Sequence, residues 1–116
     1  MSIPKIYTDV LAALMQKSLA KEVLWSTTTD ADAFIVRFET SGIVLRQYTS
    51  RSESWIDFDV FNDDGVKIDG FGVSDEEGED WKTINELFSI ARRSALAVDD
   101  TIQGILAELN KKGNTE

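Results

Sequence analysis

The stretch that decides the fold is a run of alternating residues followed by a turn signal, Trp55-Ile56-Asp57-Phe58-Asp59-Val60-Phe61-Asn62-Asp63-Asp64-Gly65. Successive side chains of a strand point to opposite faces, so Ile56, Phe58 and Val60 share one face. The opposite face then carries Trp55, Asp57, Asp59 and Phe61. The segment 62–65 that follows favours a tight turn, because Gly, Asn and Asp accept positive φ. This region therefore predicts a half-buried strand that ends in a hairpin.

Three more strand-like segments flank this stretch at short distances along the chain. Ala33–Glu39 and Ile43–Thr49 precede it, and Val66–Phe71 follows the turn. Short connections favour antiparallel pairing of consecutive strands. The sequence predicts a four-stranded antiparallel meander.

Helices are predicted at both ends of this sheet. The N-terminal helix has residues of one face at three- and four-residue spacing: Ile3, Tyr7, Val10, Leu11, Leu14 and Ser18. In the C-terminal segment, small or apolar residues recur every three or four positions from Trp81 to Leu109. Ser74 and Glu77 match a capping box at its start. The fold class is α+β, and residues 1–116 are expected to form a single domain.

The predicted C-terminal helix is too long for the sheet. A helix of this length spans about 45 Å, whereas a seven-residue strand spans about 23 Å. Three solutions stay open: the helix breaks near Asp99, its overhang packs on the first helix, or it packs on a second copy of the chain. Because Ala91 and Ala95 would allow close helix contact, a homodimer through this helix is one hypothesis.

The residue types that are absent exclude several classes of chemistry. The chain contains no His and no Cys, so the common zinc sites and the Ser-His-Asp and Cys-His nucleophile pairs are excluded. We expect neither a cofactor nor a metal centre. The N-terminal residues lack the pattern of a secretory signal, and no apolar run reaches the roughly 20 residues that cross a bilayer. The sequence predicts a cytoplasmic protein with no membrane partner.

The negative charge is concentrated in the middle of the chain. Residues 53–91 hold twelve Asp and Glu against two Lys, whereas the formal net charge of the whole chain is −9. Such a segment repels nucleic acid and anionic lipid and attracts basic partners. Ordinary solubility would also explain it.

The outward strand residues Trp55, Asp57, Asp59 and Phe61 are the first candidate site. Exposed aromatic residues beside carboxylates are typical of a contact surface. The two carboxylates, roughly 7 Å apart, would also suit an inverting glycosidase pair or a hard cation. Two simpler explanations are a solvated outer face and a face buried by a helix.

Arg92 and Arg93 in the C-terminal helix are the second candidate site. Two adjacent guanidinium groups could bind an anion or a partner's carboxylate. The simpler explanation is an intramolecular pair with the acidic segment.

One resemblance covers most of the chain. The stretch from Leu87 to Asp99, the segment 102–109, Val23-Leu24-Trp25 and the hairpin 62–65 resemble a group of small uncharacterised bacterial proteins with a helix–antiparallel sheet–helix order. The resemblance implies a bacterial or phage origin and that element order, and it nominates no catalytic residue.

Two functions are compatible with these observations. The first is a non-enzymatic protein-interaction module that binds a basic protein partner or a second copy. The alternative is a small-ligand-binding or hydrolytic protein that uses Asp57 and Asp59, with Arg37 or Arg46, in a cleft between the sheet and a helix.

Overall fold

The computed structural model describes residues 3–114 of the chain, with the side chains of residues 3–111. A short 3₁₀ helix, Lys5–Tyr7, leads into helix α1, and five strands and two further helices follow. Their bounds are α1 Thr8–Leu19, β1 Ser26–Thr27, β2 Ala33–Arg37, β3 Ser41–Ser50, β4 Glu53–Asn62, β5 Lys67–Ser74, α2 Gly78–Ala95 and α3 Val98–Asn114. The α+β class and the order of helix, antiparallel sheet and helix are therefore confirmed.

The sheet is an antiparallel meander of five strands in the order β1-β2-β3-β4-β5. The four predicted strands are present, and the sheet has one more strand, β1, than the sequence predicts. This strand has only two residues, both exposed, and pairs with Ile35 and Phe34 of β2. A two-residue polar strand has no alternating pattern from which a sequence could predict it.

The hairpin between β4 and β5 forms as its sequence predicts. Gly65 has a φ of +76°, and the Asn62 side chain accepts hydrogen bonds from the backbone N–H groups of Asp64 and Val66, each at 3.0 Å. An Asn side chain that binds the backbone in this way fixes the turn without a tertiary contact.

Helices α1 and α2 cover one face of the sheet, which we call the inner face. The strands supply Phe34, Leu45, Ile56, Phe58 and Val73 to this core, and the helices supply Leu11, Leu14, Ile84, Leu87, Phe88 and Ala91. All of these side chains are at most 5% exposed. Fully burying one large aliphatic side chain stabilises a fold by about 1.5–3 kcal/mol. This two-layer core holds the sheet rigid and leaves its opposite, outer face without a helix.

Trp25 joins the layers where the chain enters the sheet. Its side chain is 3% exposed, and its indole N–H donates to Ser18 Oγ at 3.0 Å. Its backbone N–H donates to Ser94 Oγ of α2 at 3.2 Å. The same residue thus fixes α1 and α2 relative to the start of the sheet.

Only half of the predicted capping box forms, and it lies before the helix, whose N-terminus has no side-chain cap. The Ser74 backbone N–H donates to Glu77 Oε2 at 2.7 Å, and Ser74 Oγ accepts from the Glu76 N–H at 3.4 Å. These bonds close a turn at the end of β5, and α2 begins only at Gly78. The reciprocal contact therefore directs the chain from the sheet to the helix layer.

The predicted long C-terminal helix is two helices, which confirms the first of the three solutions. The break lies at Leu96-Ala97, where Ala97 has a φ of +50°, and we call this segment the elbow. Asp99 lies in the first turn of α3, and its carboxylate accepts a hydrogen bond from the Arg93 guanidinium of α2. The heptad spacing continues through the elbow, so spacing alone could not locate the break.

Helix α3 extends away from the two-layer body. Among residues 3–114 its backbone approaches that of α2 and of no other helix or strand. The radius of gyration is 16.8 Å and the longest dimension is 57 Å, whereas a compact chain of this length has a radius of about 13 Å. No helix in the described part of the chain is long and apolar enough to cross a membrane.

Candidate functional site

The four outward residues of β4 lie on the outer face as predicted. Trp55, Asp57, Asp59 and Phe61 are each half-buried. Their neighbours on β3 in the sheet register are Tyr48, Arg46, Val44 and Gly42, respectively. The explanation that a helix buries this face is wrong, because both α1 and α2 lie on the inner side.

The Asp57 carboxylate is held by two side chains of β3. Its Oδ2 accepts a hydrogen bond from Arg46 Nη2 at 3.0 Å, and its Oδ1 accepts one from the Tyr48 hydroxyl at 3.2 Å. The Arg46 guanidinium also lies over the Tyr48 ring, 4.9 Å from its centroid. Burial of the phenol, helped by the nearby Asp57 carboxylate, raises the pKa of Tyr48. These contacts fix Asp57 in one place, in an ion pair.

Asp59 has its own cation. Lys67 Nζ of β5 lies 3.1 Å from Asp59 Oδ1. The side chains of Asp57 and Asp59 are 18% and 14% exposed, whereas those of Arg46 and Lys67 are 45% and 56% exposed. The cations therefore cover the carboxylates, and this part of the outer face presents paired charge rather than an excess of acid.

Two glycines make room for the two carboxylates. Gly72 lies opposite Asp57, and Gly70 lies opposite Asp59. A Cβ on Gly72 would lie 2.7 Å from Asp57 Oδ1, and a Cβ on Gly70 would lie 2.7 Å from the Phe58 carbonyl oxygen and 2.8 Å from Asp59 Oδ1. The side chains of both acids therefore extend over β5 at its glycine positions, where β5 has no side chain.

The chemistry open to this arrangement is limited. Neither carboxylate lines either of the two clefts described below, and in the described residues no three acidic side chains come close enough to hold a metal ion. A carboxylate that already binds Arg or Lys must break that pair before it can act as a base or a ligand.

Two clefts lie elsewhere on the described residues. One, of about 220 Å³, lies at the elbow between the end of α1 and the start of α3 and is lined by residues that include Leu19, Lys21, Leu24, Arg93 and Asp99. The other, of about 550 Å³, is an open depression on the outer face near the two hairpin turns. It is lined by residues that include Arg37, Val44 and Phe61.

Arg92 and Arg93 are both exposed, and they lie in the last turn of α2. That turn belongs to the helical layer, on the other side of the sheet from Trp55 and Asp57. Arg93 pairs with Asp99 of α3, so the expectation of an intramolecular pair holds for this residue. Its partner belongs to the charge-balanced C-terminal segment rather than to residues 53–91.

Most of the exposed acid of residues 53–91 lies at the two ends of the sheet. Asp63 and Asp64 form the β4–β5 turn, and Asp75, Glu76 and Glu79 lie around the start of α2. Asp69 of β5 and Glu86 of α2 are also exposed, whereas Asp57 and Asp59 are half-buried. The exposed acid of this segment is therefore concentrated at the turns rather than at Asp57 and Asp59.

A row of exposed apolar side chains lies on α3. Ile102, Ile105, Leu106 and Leu109 are 50%, 53%, 49% and 61% exposed. Their spacing of three and four places them along one side of the helix. We call these four residues the α3 stripe. No described element covers it.

The small residues expected at a helix–helix contact serve another purpose. Ala91 is fully buried in the core of its own chain, and Ala95 packs against that core. The two alanines cannot form the contact surface of a second copy while α2 covers the sheet.

A further polar contact joins the N-terminal segment to β5. The Tyr7 hydroxyl donates a hydrogen bond to Asp69 Oδ2, and the Tyr7 ring packs against Phe58 and Phe71 at centroid distances of 5.3 and 5.0 Å. Burial, together with the Asp69 contact, raises the pKa of Tyr7 to about 12. The hydrogen bond from Tyr7 lowers the pKa of Asp69.

Sequence reasoning named the acids of the outer face but missed most of their partners. Lys67, Tyr48, Gly70 and Gly72 were not assigned to the site, and Arg46 was named only for the alternative function. The signal was present in the spacing: Asp57-Phe58-Asp59 and Gly70-Phe71-Gly72 fall in register across one hairpin.

Comparison with family models, curated proteins and solved structures found no match for this chain.

Proposed function

We propose that this chain is a non-enzymatic protein-interaction module of a bacterial or phage cytoplasm, and that it binds its partner through α3. The α3 stripe is the observation that carries this proposal. Four large aliphatic side chains, each about half exposed, follow one another along a helix that extends from the body. Contiguous exposed apolar residues on a soluble domain are typical of a binding surface.

The construction of the elbow supports this role. Ala97 adopts a left-handed conformation, which costs a non-glycine residue roughly 1–2 kcal/mol, and the Arg93–Asp99 ion pair links the two helices across it. A helix that presented its apolar side to the sheet would need no such break. The chain instead holds α3 away from its own core, where another protein can reach it.

The charge of the body favours a basic partner. The exposed acids of the β4–β5 turn and of the α2 start give the body a negative potential, which attracts basic proteins and repels nucleic acid. A partner of this kind would contact α3 through apolar residues and the body through positive ones. The homodimer expected through the C-terminal helix is a second form of the same proposal.

The hydrolytic alternative has less support. It requires Asp57 and Asp59 to line a cleft, and the two clefts described above are lined by other residues. Both carboxylates are also paired with cations. No observation favours this function over protein binding.

The experiment compares capture of partners by the wild-type chain and two variants of α3. Ile105→Gln places an amide in the α3 stripe and keeps a residue with good helix propensity. Ala107→Gln introduces the same side chain on the opposite side of the helix, because two residues correspond to about 200° of rotation. We expect a specific partner from bacterial lysate to be lost with Ile105→Gln and retained with Ala107→Gln. Equal capture by all three proteins would contradict a role for the α3 stripe.

A further inference from the structure

We infer that the open depression on the outer face binds an arginine side chain of a basic partner protein. This rests on the proposed function and adds to it a second contact, on the body of the chain, besides the α3 stripe. The depression has a volume of about 550 Å³ and lies near the β2–β3 and β4–β5 turns. Its lining comes from three neighbouring strands and from these two turns, so the sheet itself forms it.

The floor of the depression is apolar, and one position in it has no side chain. Gly42 of β3 lies between Arg37 of β2 and Phe61 of β4 in the sheet register. In the next row along the strands Ile35 lies beside Val44, and both line the depression together with Phe61. These three apolar side chains are half-buried on the face that α1 and α2 leave uncovered. The glycine thus leaves an apolar hollow between the side chains of its neighbours.

The rim of the depression carries more negative than positive charge. Glu39, Asp63 and Asp64 line it from the two turns and are exposed, and Arg37 is the only cation among the described residues that line it. Within residues 3–111 none of these four side chains forms an ion pair. A positive group that enters the depression is therefore attracted to its rim. The complementary occupant is apolar along its length and positive at its end.

An arginine side chain meets both requirements. Its methylene stem covers apolar surface while the charged end stays at the rim. Its guanidinium stacks on an aromatic ring such as that of Phe61 and forms paired hydrogen bonds with a carboxylate such as that of Asp63 or Asp64. Lysine has the stem and the charge but lacks the planar group, so it should bind more weakly. Nucleic acid does not fit, because its phosphates would meet the same carboxylates.

Binding of an isolated arginine side chain tests the depression directly. The probe is Nα-acetyl-arginine amide, titrated into the ¹⁵N-labelled full chain while the amide chemical shifts are recorded. We expect saturable binding with a dissociation constant on the order of 1 mM, and shifts concentrated at residues 39–44 and 61–65. Nα-acetyl-citrulline amide has nearly the same shape without the charge and should produce no comparable shifts. Equal shifts with both probes, or shifts spread over all exposed acids, would overturn the inference.

Two matched double variants separate the depression from general attraction of charge. Asp63→Asn with Asp64→Asn removes two carboxylates from the rim, in a turn that accepts Asn. Glu76→Gln with Glu79→Gln removes the same charge around the start of α2, outside the depression. We expect the first double variant to bind the probe roughly tenfold more weakly, and the second to bind it within about twofold of the wild type. Equal losses would show that the probe does not bind in the depression.

Two single variants test the shape of the depression and the sign of its charge. Gly42→Gln places a side chain in the hollow without a change of charge and should abolish binding of the probe. A Cβ at residue 42 lies 3.4 Å from the Val36 carbonyl oxygen, an ordinary contact, so circular dichroism should show an intact fold. Arg37→Gln removes the cation and should tighten binding roughly twofold. Unchanged binding by Gly42→Gln, or weaker binding by Arg37→Gln, would contradict the assigned site.

These outcomes, combined with capture of partners from lysate, distinguish the inference from the proposed function. If the probe does not bind but Ile105→Gln still abolishes capture, the proposed function stands and the inference fails. If the probe binds as expected but capture does not depend on residue 105, the depression stands and binding through α3 fails. Where both hold, Gly42→Gln should also reduce capture of the partner that Ile105→Gln loses. Undiminished capture by Gly42→Gln would overturn a role of the depression in that complex.

Discussion

Gly72 lies directly across from Asp57 in the antiparallel pairing of β4 and β5, and the Asp57 carboxylate occupies the space that a side chain at residue 72 would need. The glycine is thus part of the polar contact on the outer face. Arg46 and Tyr48 hold the carboxylate from β3, and Gly72 admits it from β5. Three neighbouring strands thus contribute to the same arrangement.

Gly72→Ala is expected to destabilise the fold. Its Cβ would lie 2.7 Å from Asp57 Oδ1, so the carboxylate must move away from Arg46 and Tyr48. Overpacking of this kind costs roughly 1–3 kcal/mol in the free energy of unfolding. Urea denaturation of the wild type and the variant measures this difference in the free energy of unfolding. In an Asp57→Ala background the same substitution should cost clearly less, and an equal cost in both backgrounds would show that the carboxylate is not the cause.

Gly104→Ala is the matched control for that substitution. A Cβ at residue 104 meets no atom within 4 Å, and residue 104 lies inside α3. Alanine stabilises a helix interior by roughly 0.5–1 kcal/mol relative to glycine. We expect an unchanged or slightly increased helix signal and no loss of stability.

Tyr7→Phe is expected to change the pH dependence of stability at both extremes. The pKa of Tyr7 is raised from 10.0 to about 12 in the folded chain, so the wild type loses stability as the pH rises through that interval, where the unfolded chain ionises first. The pKa of Asp69 is lowered from 3.8, so its contribution is lost as the pH falls below that value. The variant should lack the loss of stability that ionisation of Tyr7 causes at high pH. It should also lose less stability than the wild type when Asp69 is protonated at low pH.

The measurement for Tyr7→Phe is urea unfolding across both pH ranges, with the wild type at each pH. Near neutral pH the variant lacks one hydrogen bond, which contributes about 0.5–1.5 kcal/mol. Parallel stability curves for wild type and variant, above pH 10.0 and below 3.8, would contradict the assigned contact.

Trp25→Phe and Trp55→Phe are expected to differ although the substitution is the same. Trp25 is 3% exposed and donates to Ser18, so the smaller ring leaves a void and an unpaired hydroxyl. Such changes cost about 1–3 kcal/mol. Trp55 is half-buried on the outer face, where surface substitutions typically stay within about 0.5 kcal/mol. Thermal melts that show equal losses would contradict the placement of the two indoles.

The elbow gives a prediction about backbone geometry. Ala97 has a φ of +50°, a region that Asn tolerates and β-branched residues avoid. Ala97→Val should therefore destabilise the elbow by about 1 kcal/mol or more relative to Ala97→Asn. The thermal midpoint of each variant tests this. Equal midpoints would indicate that the two helices do not need the left-handed residue.

The sequence predicts the sheet better than the helical layer, for physical reasons. The alternation in β4 and the Asn62–Gly65 turn are local patterns, and both formed as expected. The position of the break at Leu96-Ala97 depends on the length of sheet that α2 covers. The heptad spacing contains no information about that length. Ala91 was expected to contact a second copy, but the core of its own chain buries it. The sequence pattern does not distinguish between these two environments.

The outer-face site could be predicted only in part. Periodicity places Asp57 and Asp59 outward, but it does not identify the residues that neutralise them. That depends on register, which brings Arg46 beside Asp57 and Lys67 beside Asp59. Periodicity alone therefore indicates two free carboxylates on this face, whereas the register pairs both of them with cations. The four residues of the α3 stripe were visible in the sequence, but their exposure was not.

The most direct test of the central claim is amide hydrogen exchange of α3, measured in the free chain and in the complex with the protein captured from bacterial lysate. We expect amides of α3 to exchange rapidly in the free chain and slowly in the complex, while the β4 amides exchange equally slowly in both. Unchanged exchange of α3 in the complex would contradict binding of a partner through the α3 stripe.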